Sequence, residues 1–206
     1  TPINMNKNAL RLRCVLFVTT TIDIAEKKAM SRLHTALTHA QRVDLEWCLK
    51  LNGYSSRQVV LAPFKWVSRL GDGWFWYGAL ALAVPVAGMA VLPQLAQTLL
   101  TSGVGLALYK MLKHKTVRPR PYQVHQAVVL GERPLDHFSF PSGHTLHAVL
   151  FTIMIGSAVP VLLPILLPFM LLVALSRVIL GLHYPSDVLA GAALGATLAL
   201  LSLRWF

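Results

Sequence analysis

The sequence predicts an all-α protein, a multi-span transmembrane bundle of about five helices preceded by interfacial amphipathic helices. Three observations predict it. The 206 residues are 55% hydrophobic and only 13% charged, with a mean hydropathy of +0.57. Soluble domains carry about 25% charged residues, so this balance excludes both a cytosolic globule and a disordered chain. Two long stretches, 73–109 and 139–176, contain no Asp, Glu, Lys or Arg. Glycines and prolines interrupt both. The length suits one membrane domain without a large soluble module, organised as a basic N-terminal segment, 1–72, and a transmembrane core, 73–206.

The first segment holds 11 of the 19 basic residues and no uncharged run near 18 residues. The stretch Cys14–Thr21 is too short to span, and no secretory signal pattern is visible at the start. Val43–Asn52 and Val59–Leu70 mix apolar and basic positions with Trp47, Phe64 and Trp66. That pattern suits helices lying in the interface, and equally a cap packed on the bundle. Cys14 and Cys48 lack metal-type spacing and read as free thiols.

As one helix, 73–109 would measure roughly 55 Å, nearly twice the hydrocarbon thickness. It therefore reads as a hairpin turning at Pro93-Gln94, with spans near 74–92 and 95–112 and an aromatic belt of Trp74, Trp76 and Tyr77. A polar connector follows to about Phe140. The second uncharged stretch carries Pro160, Pro164 and Pro168 and divides into spans near 142–159 and 162–178. A last span falls near 186–204, where AGAALGA (190–196) permits close helix contact.

With five spans, the polar segments fall at one membrane face and bring three clusters together: KHKTVRPRP (113–121), FPSGH (140–144) and SRVILGLHYPSD (176–187). Ionisable groups in membranes are costly and default to function. The excess of 19 basic over 8 acidic residues points to phosphate in a lipid setting. Nucleic acid is disfavoured, because no finger or RNP pattern is present and the apolar stretches need a bilayer.

Lys113, Arg120 and Arg177 offer fixed positive charge, the arginines with forked donors suited to phosphate oxygens. Pro141-Ser142-Gly143 reads as a helix opening whose free amides favour an anion. His183 and Asp187 are four residues apart. A carboxylate bonded to one ring nitrogen leaves the other as a lone pair for phosphorus. His144 is placed to protonate the leaving oxygen and then activate water. The set predicts two-step phosphoryl transfer through a phosphohistidine, its transition state stabilised by cations with no metal and no cofactor. Taken singly, Lys113 also reads as a span flank, Asp187 as a helix cap and His183 as a structural histidine; the conjunction outweighs these. Zinc held by His144, His183 and Asp187 is disfavoured, because the nearby cations would repel it.

These residues resemble the three-part signature of the type 2 phosphatidic acid phosphatase superfamily: Lys-x6-Arg-Pro (113–121), Pro-Ser-Gly-His (141–144) and Ser-Arg-x5-His-x3-Asp (176–187). No signature position departs. The resemblance implies a helical bundle, metal-independent hydrolysis of lipid phosphate monoesters or diphosphates, and a pocket that vanadate occupies. It implies the same roles: His183 nucleophile, Asp187 its orienting acid, His144 acid and base, and Lys113, Arg120, Ser142, Gly143 and Arg177 phosphate ligands. Short bacterial members resemble undecaprenyl diphosphate phosphatases, which gives the expected substrate. Phosphatidylglycerol phosphate, phosphatidic acid and lipid A remain open alternatives. A lipid phosphotransferase and a non-enzymatic protein that binds or transports anionic lipid are the competing functions. The expected location is the bacterial inner membrane, multi-pass, with phosphorylated lipid and the bilayer as partners and no expectation for oligomeric state. The resemblance implies a periplasmic site, whereas the basic residues on the motif side argue for the cytoplasm.

Overall fold

A computed structural model describes residues 7–134 and 136–205, with side chains from residue 28 onward except those of 29 and 33. Among these residues there are helices and no strand. The chain divides into two compact units, Thr1–Val43 and Asp44–Phe206. The first is dominated by one long helix, α1 (Lys7–Asn52), whose described side chains as far as Val43 are exposed. Val43–Asn52 is thus the end of a longer helix, and Cys14–Thr21 lies within it with side chains outside the described set.

In the second unit the end of α1 turns a face inward. Cys48 is a buried free thiol, and burial, helped by the charge of Asp44, pushes its pKa up to about 12. The opposite face leaves Trp47 half exposed with Lys50 over its ring. The second predicted stretch lies in α2 (Gln58–Gly71), which exposes Val59 and Trp66 and buries Ser68 and Gly71. Gly71 packs so closely on α7 (Leu163–Ile179) that an added Cβ would meet the Val173 methyls at 3.1 and 3.3 Å. Each stretch therefore also serves as a cap on the bundle.

The five predicted spans correspond to the helices α3 (Trp74–Ala87), α4 (Leu92–Thr116), α6 (Gly143–Ala158), α7 and α8 (Pro185–Trp205), with a short α5 (Pro121–Val124) in the connector. Three segments are long and apolar enough to cross a membrane: Met89–Val124, Pro160–Ile179 and Pro185–Trp205. Helices α3 and α6 are shorter and apolar. The first hairpin turns at Gly88, not at Pro93-Gln94. Gly88 has φ 78°, a conformation glycine adopts without a Cβ clash, and a 3₁₀ turn, Met89–Val91, follows. Pro93 instead sits in the first turn of α4, where its missing N–H costs nothing. Of the three prolines expected to interrupt the second stretch, Pro160 opens the turn, Pro164 stands in the first turn of α7, and Pro168 lies inside that helix without ending it.

The core stacks Trp76 on Phe151 and Phe75 on Phe169, with Ile155, Leu166 and Val173 fully buried around them. Outward leucines such as Leu100, Leu171 and Leu200 stay exposed, as a lipid-facing surface requires. Helices α6 and α8 meet through small residues. An added Cβ on Gly191 would overlap the Ser142 carbonyl, and one on Gly195 the Leu146 carbonyl. Both obstacles are backbone, so neither gives way by a rotamer change. Gly191→Ala should therefore lower stability by about 1–3 kcal/mol through overpacking, measured as the Tm in detergent. Gly78→Ala, in a helix interior where nothing lies within 4 Å, should not lower Tm.

Candidate functional site

The site grows from the helix ends. Lys113 lies in the last turn of α4, 6% exposed. Val117 then adopts a left-handed conformation, φ 45° and ψ 31°, which is unfavourable for a β-branched residue and ends the helix abruptly. The extended residues beyond it carry Arg118 and Arg120 back across the bundle. Arg120 caps α5, its amide donating to Gln123 Oε1 at 2.8 Å. Its guanidinium is 2% exposed and donates to the Leu182 carbonyl at 2.7 Å. Arg177, on the last turn of α7, is equally buried; its Nε donates to Ser176 Oγ at 3.1 Å and its Nη2 to Ser68 Oγ of α2.

Ser142 is the N-cap of α6, pairing with Thr145 through their hydroxyls at 2.9 Å. Its amide donates to the Asp187 carbonyl at 3.0 Å, tying the opening of α6 to that of α8. The first amides of α6 have no intrahelical acceptor, the arrangement that receives anions. Gly143 permits close approach: an added Cβ would meet the Tyr109 ring at 3.2 Å.

His183 sits in the loop between α7 and α8. Its amide and that of Leu182 donate to the Arg177 carbonyl. Asn52 holds the same loop, donating to the carbonyls of Ile179 and Val129 and accepting from the Val129 amide. Gly181, φ 70°, packs where a Cβ would meet the Val129 carbonyl at 2.7 Å, so only glycine fits. His183 Nε2 lies 3.5 Å from Arg120 Nη1. Its Nδ1 lies 3.7 Å from Asp187 Oδ2, an ion-pair contact longer than a hydrogen bond, and has no closer partner. Burial, reinforced by Arg120 and opposed by Asp187, pushes the imidazole pKa down to about 3, so the ring is neutral at ordinary pH and carries a lone pair.

All eight predicted site residues converge here. Lys113, Arg120, Gly143, His144, Arg177 and His183 line one cavity of about 820 Å³. Ser142 and Asp187 stand behind it, fully buried. Further residues join them that the motifs do not contain. Arg118 donates to Asp187 Oδ1 at 2.6 Å and to Asp44 Oδ2 at 2.7 Å, and Asp44 accepts from the Ser186 amide and hydroxyl. The second Asp187 oxygen accepts from the Tyr184 amide at 2.9 Å. Asp136, in the connector, accepts from Lys113 Nζ and Arg120 Nη2, both at 2.5 Å. Burial pushes its carboxyl up, but these two cations outweigh burial and hold it below the ordinary carboxylate range. Asp72, just after α2, accepts from His144 Nε2. Spacing within a motif gives no signal for Asp44, Asp72 or Asp136. The scarcity of acids in a chain with 8 of them is the one hint that each has a cationic partner.

Away from the cations the cavity is walled by Trp76, Tyr77, Leu99, Leu106 and Phe151, a division suited to an amphiphile. No group of three or more His, Cys, Asp or Glu able to hold a metal occurs among the described residues.

The profile of the PAP2 superfamily matches residues 94–206. A decaprenylphosphoryl-5-phosphoribose phosphatase of Mycobacterium tuberculosis is 32% identical over 152 residues, covering 68% of this chain and 77% of its own. An undecaprenyl-diphosphatase of Sulfolobus acidocaldarius is 28% identical over 168 residues, 75% of either chain. Among solved structures, a transmembrane PAP2 type phosphatidylglycerolphosphate phosphatase from Bacillus subtilis superposes with a TM-score of 0.64 at 25% identity, over 81% of this chain and 86% of that one. Sequence profile, relatives and fold agree with the three motifs meeting in one cavity, and the chain belongs to the PAP2 superfamily as a multi-pass membrane lipid phosphatase.

Proposed function

We propose that this protein hydrolyses a polyprenyl-linked phosphate or diphosphate, with undecaprenyl diphosphate as the favoured substrate, through a phosphohistidine on His183. The observation that carries the reading is the neutral imidazole of His183 with Nε2 at 3.5 Å from the Arg120 guanidinium, inside a cavity that also presents Lys113 and Arg177. A phosphoryl group held by these cations and the α6 amides lies in front of a lone pair. Nε2 attacks phosphorus, the bond to the leaving oxygen breaks, and His144 supplies that oxygen with a proton. Water then attacks the phosphohistidine, giving its proton back to His144. Asp187, fixed by Arg118 and the Tyr184 amide, stabilises the His183 ring as it gains positive charge; catalytic contacts of 3.7 Å commonly tighten when substrate binds. The apolar wall of the cavity and the polyprenyl groups named in two relatives support a long isoprenoid tail.

Purified protein should release phosphate from undecaprenyl diphosphate in the presence of chelator, faster than from phosphatidylglycerol phosphate, phosphatidic acid or a water-soluble ester, with vanadate inhibiting. His183→Ala should lose at least a thousandfold in kcat. Full activity in that variant would overturn the mechanism, and equal turnover of the soluble ester would overturn the lipid preference.

Asp136 occupies two of the cations that phosphate needs, so substrate must displace it. Asp136→Asn should tighten vanadate inhibition several-fold, measured from the inhibition constant; weaker inhibition would show that the carboxylate supports the cradle.

We place the protein in the bacterial inner membrane with the site facing the periplasm. The cations at the site have a catalytic reason to be there, which removes them from the positive-inside count. Gln94, in the first turn of α4, tests this: Gln94→Cys, with Cys14 and Cys48 replaced by Ser, should resist a membrane-impermeant thiol reagent on intact cells. Labelling there would put the site in the cytoplasm.

A further inference from the structure

Helix α2 lies outside the matched residues 94–206 and outside all three motifs, yet its last turn and the residue that caps it each reach the site. Ser68 accepts from Arg177, and Asp72 from His144 Nε2. Local helix physics does not explain Asp72. A carboxylate at a helix C-terminus opposes the macrodipole, and the Asp72 amide, not its side chain, closes the helix by donating to the carbonyls of Arg69 and Leu70. Its side-chain partner lies 72 residues away. The glycines on either side fix the corner: Gly71 seats against Val173, and Gly73, at φ 143°, packs on the Tyr77 ring. The corner therefore delivers a carboxylate to a set place in the cavity wall, which Gly71, Asp72 and Gly73 all line.

His144 Nδ1 has no hydrogen-bond partner among the described residues and is not among the buried unpaired nitrogens, as Nδ1 of His183 is. One ring nitrogen is thus anchored and the other is open to the cavity. We propose that Asp72 is the positioning residue of the acid–base step, holding His144 by Nε2–H so that Nδ1 transfers the proton. This rests on the phosphohistidine reading above. In the first step the His183 Nε2–phosphorus bond forms and the bond from that phosphorus to the leaving oxygen breaks. The departing oxygen, of the lipid monophosphate from a diphosphate or of the alkoxide from a monoester, takes the Nδ1 proton, and Nε2 keeps its own proton on Asp72. In the second step water bonds to phosphorus, the nitrogen–phosphorus bond breaks, and the water proton returns to Nδ1. The ring shuttles one proton and Asp72 balances its charge while it is doubly protonated.

The test compares kcat/KM, which reports formation of the phosphoenzyme, for an alkyl phosphate and for p-nitrophenyl phosphate. The alkoxide needs a proton to depart and the nitrophenolate does not. In the full-length protein, Asp72→Asn should lower kcat/KM for the alkyl ester about 30-fold or more, within the usual range for general acid catalysis, and for p-nitrophenyl phosphate less than threefold. Vanadate inhibition should stay within threefold of wild type. Adding Asp72→Asn to His144→Ala should cost nothing further on the alkyl ester, as expected of residues acting as a unit. Equal losses on both esters, or no loss on either, would overturn the proposal. If Asp72→Asn does not accumulate, Asp72→Ser is judged by the same ratio. The outcome is separable from the parent reading: an inactive His183→Ala beside an unchanged ester ratio in the Asp72 variant leaves the phosphohistidine standing and removes only the role of Asp72.

Discussion

Buried positive charge governs this structure. Lys113, Arg120 and Arg177 are nearly inaccessible at the mouths of apolar helices, where an unpaired cation is costly. Each must therefore find oxygen, and the arrangement of the connector, the α7–α8 loop and α2 follows from how each finds it. Asp136 serves two cations, the Leu182 carbonyl serves Arg120, and Ser68 serves Arg177. A serine hydroxyl does not neutralise a guanidinium. Residual positive charge at Arg177 is what a phosphate dianion would meet in the cavity.

A second constraint sets the distances. Helices α6 and α8 approach until Gly191 and Gly195 lie against backbone carbonyls, and the Ser142 amide donates to the Asp187 carbonyl. The anion-receiving end of α6 and the carboxylate behind His183 are thus parts of one rigid contact. On the other side of that carboxylate, Arg118 spans Asp187 and Asp44, so the end of α1 also bears on the position of the carboxylate beside His183. The left-handed Val117 directs Arg118 there, at a backbone cost of about 1–3 kcal/mol.

The two imidazoles at the cavity have unlike surroundings. His183 is enclosed, with its nitrogens facing Arg120 and Asp187, and is held neutral. His144 is tied to Asp72, a carboxylate partly open to solvent. One ring is thus enclosed beside a guanidinium and the other is tied to a carboxylate, so a single cavity gives two imidazoles different electrostatic surroundings.

The sequence by itself determined the helical bundle, the approximate bounds of its apolar helices and eight residues that the fold brings to one cavity, because hydrocarbon thickness limits helix length and because charges are rare enough in this chain to stand out. It misplaced the first turn, since Pro93 looked like a break while Gly88, the residue able to take a positive φ, made it. Only the tertiary structure decided that Asp136 lies on Lys113 and Arg120, that Arg118 spans Asp44 and Asp187, and that Ser68 and Asp72 of the α2 corner meet Arg177 and His144. These pairings join residues 16 to 109 positions apart. No local periodicity encodes them; they follow from which helix ends the packing of glycines and aromatics brings to the same cavity.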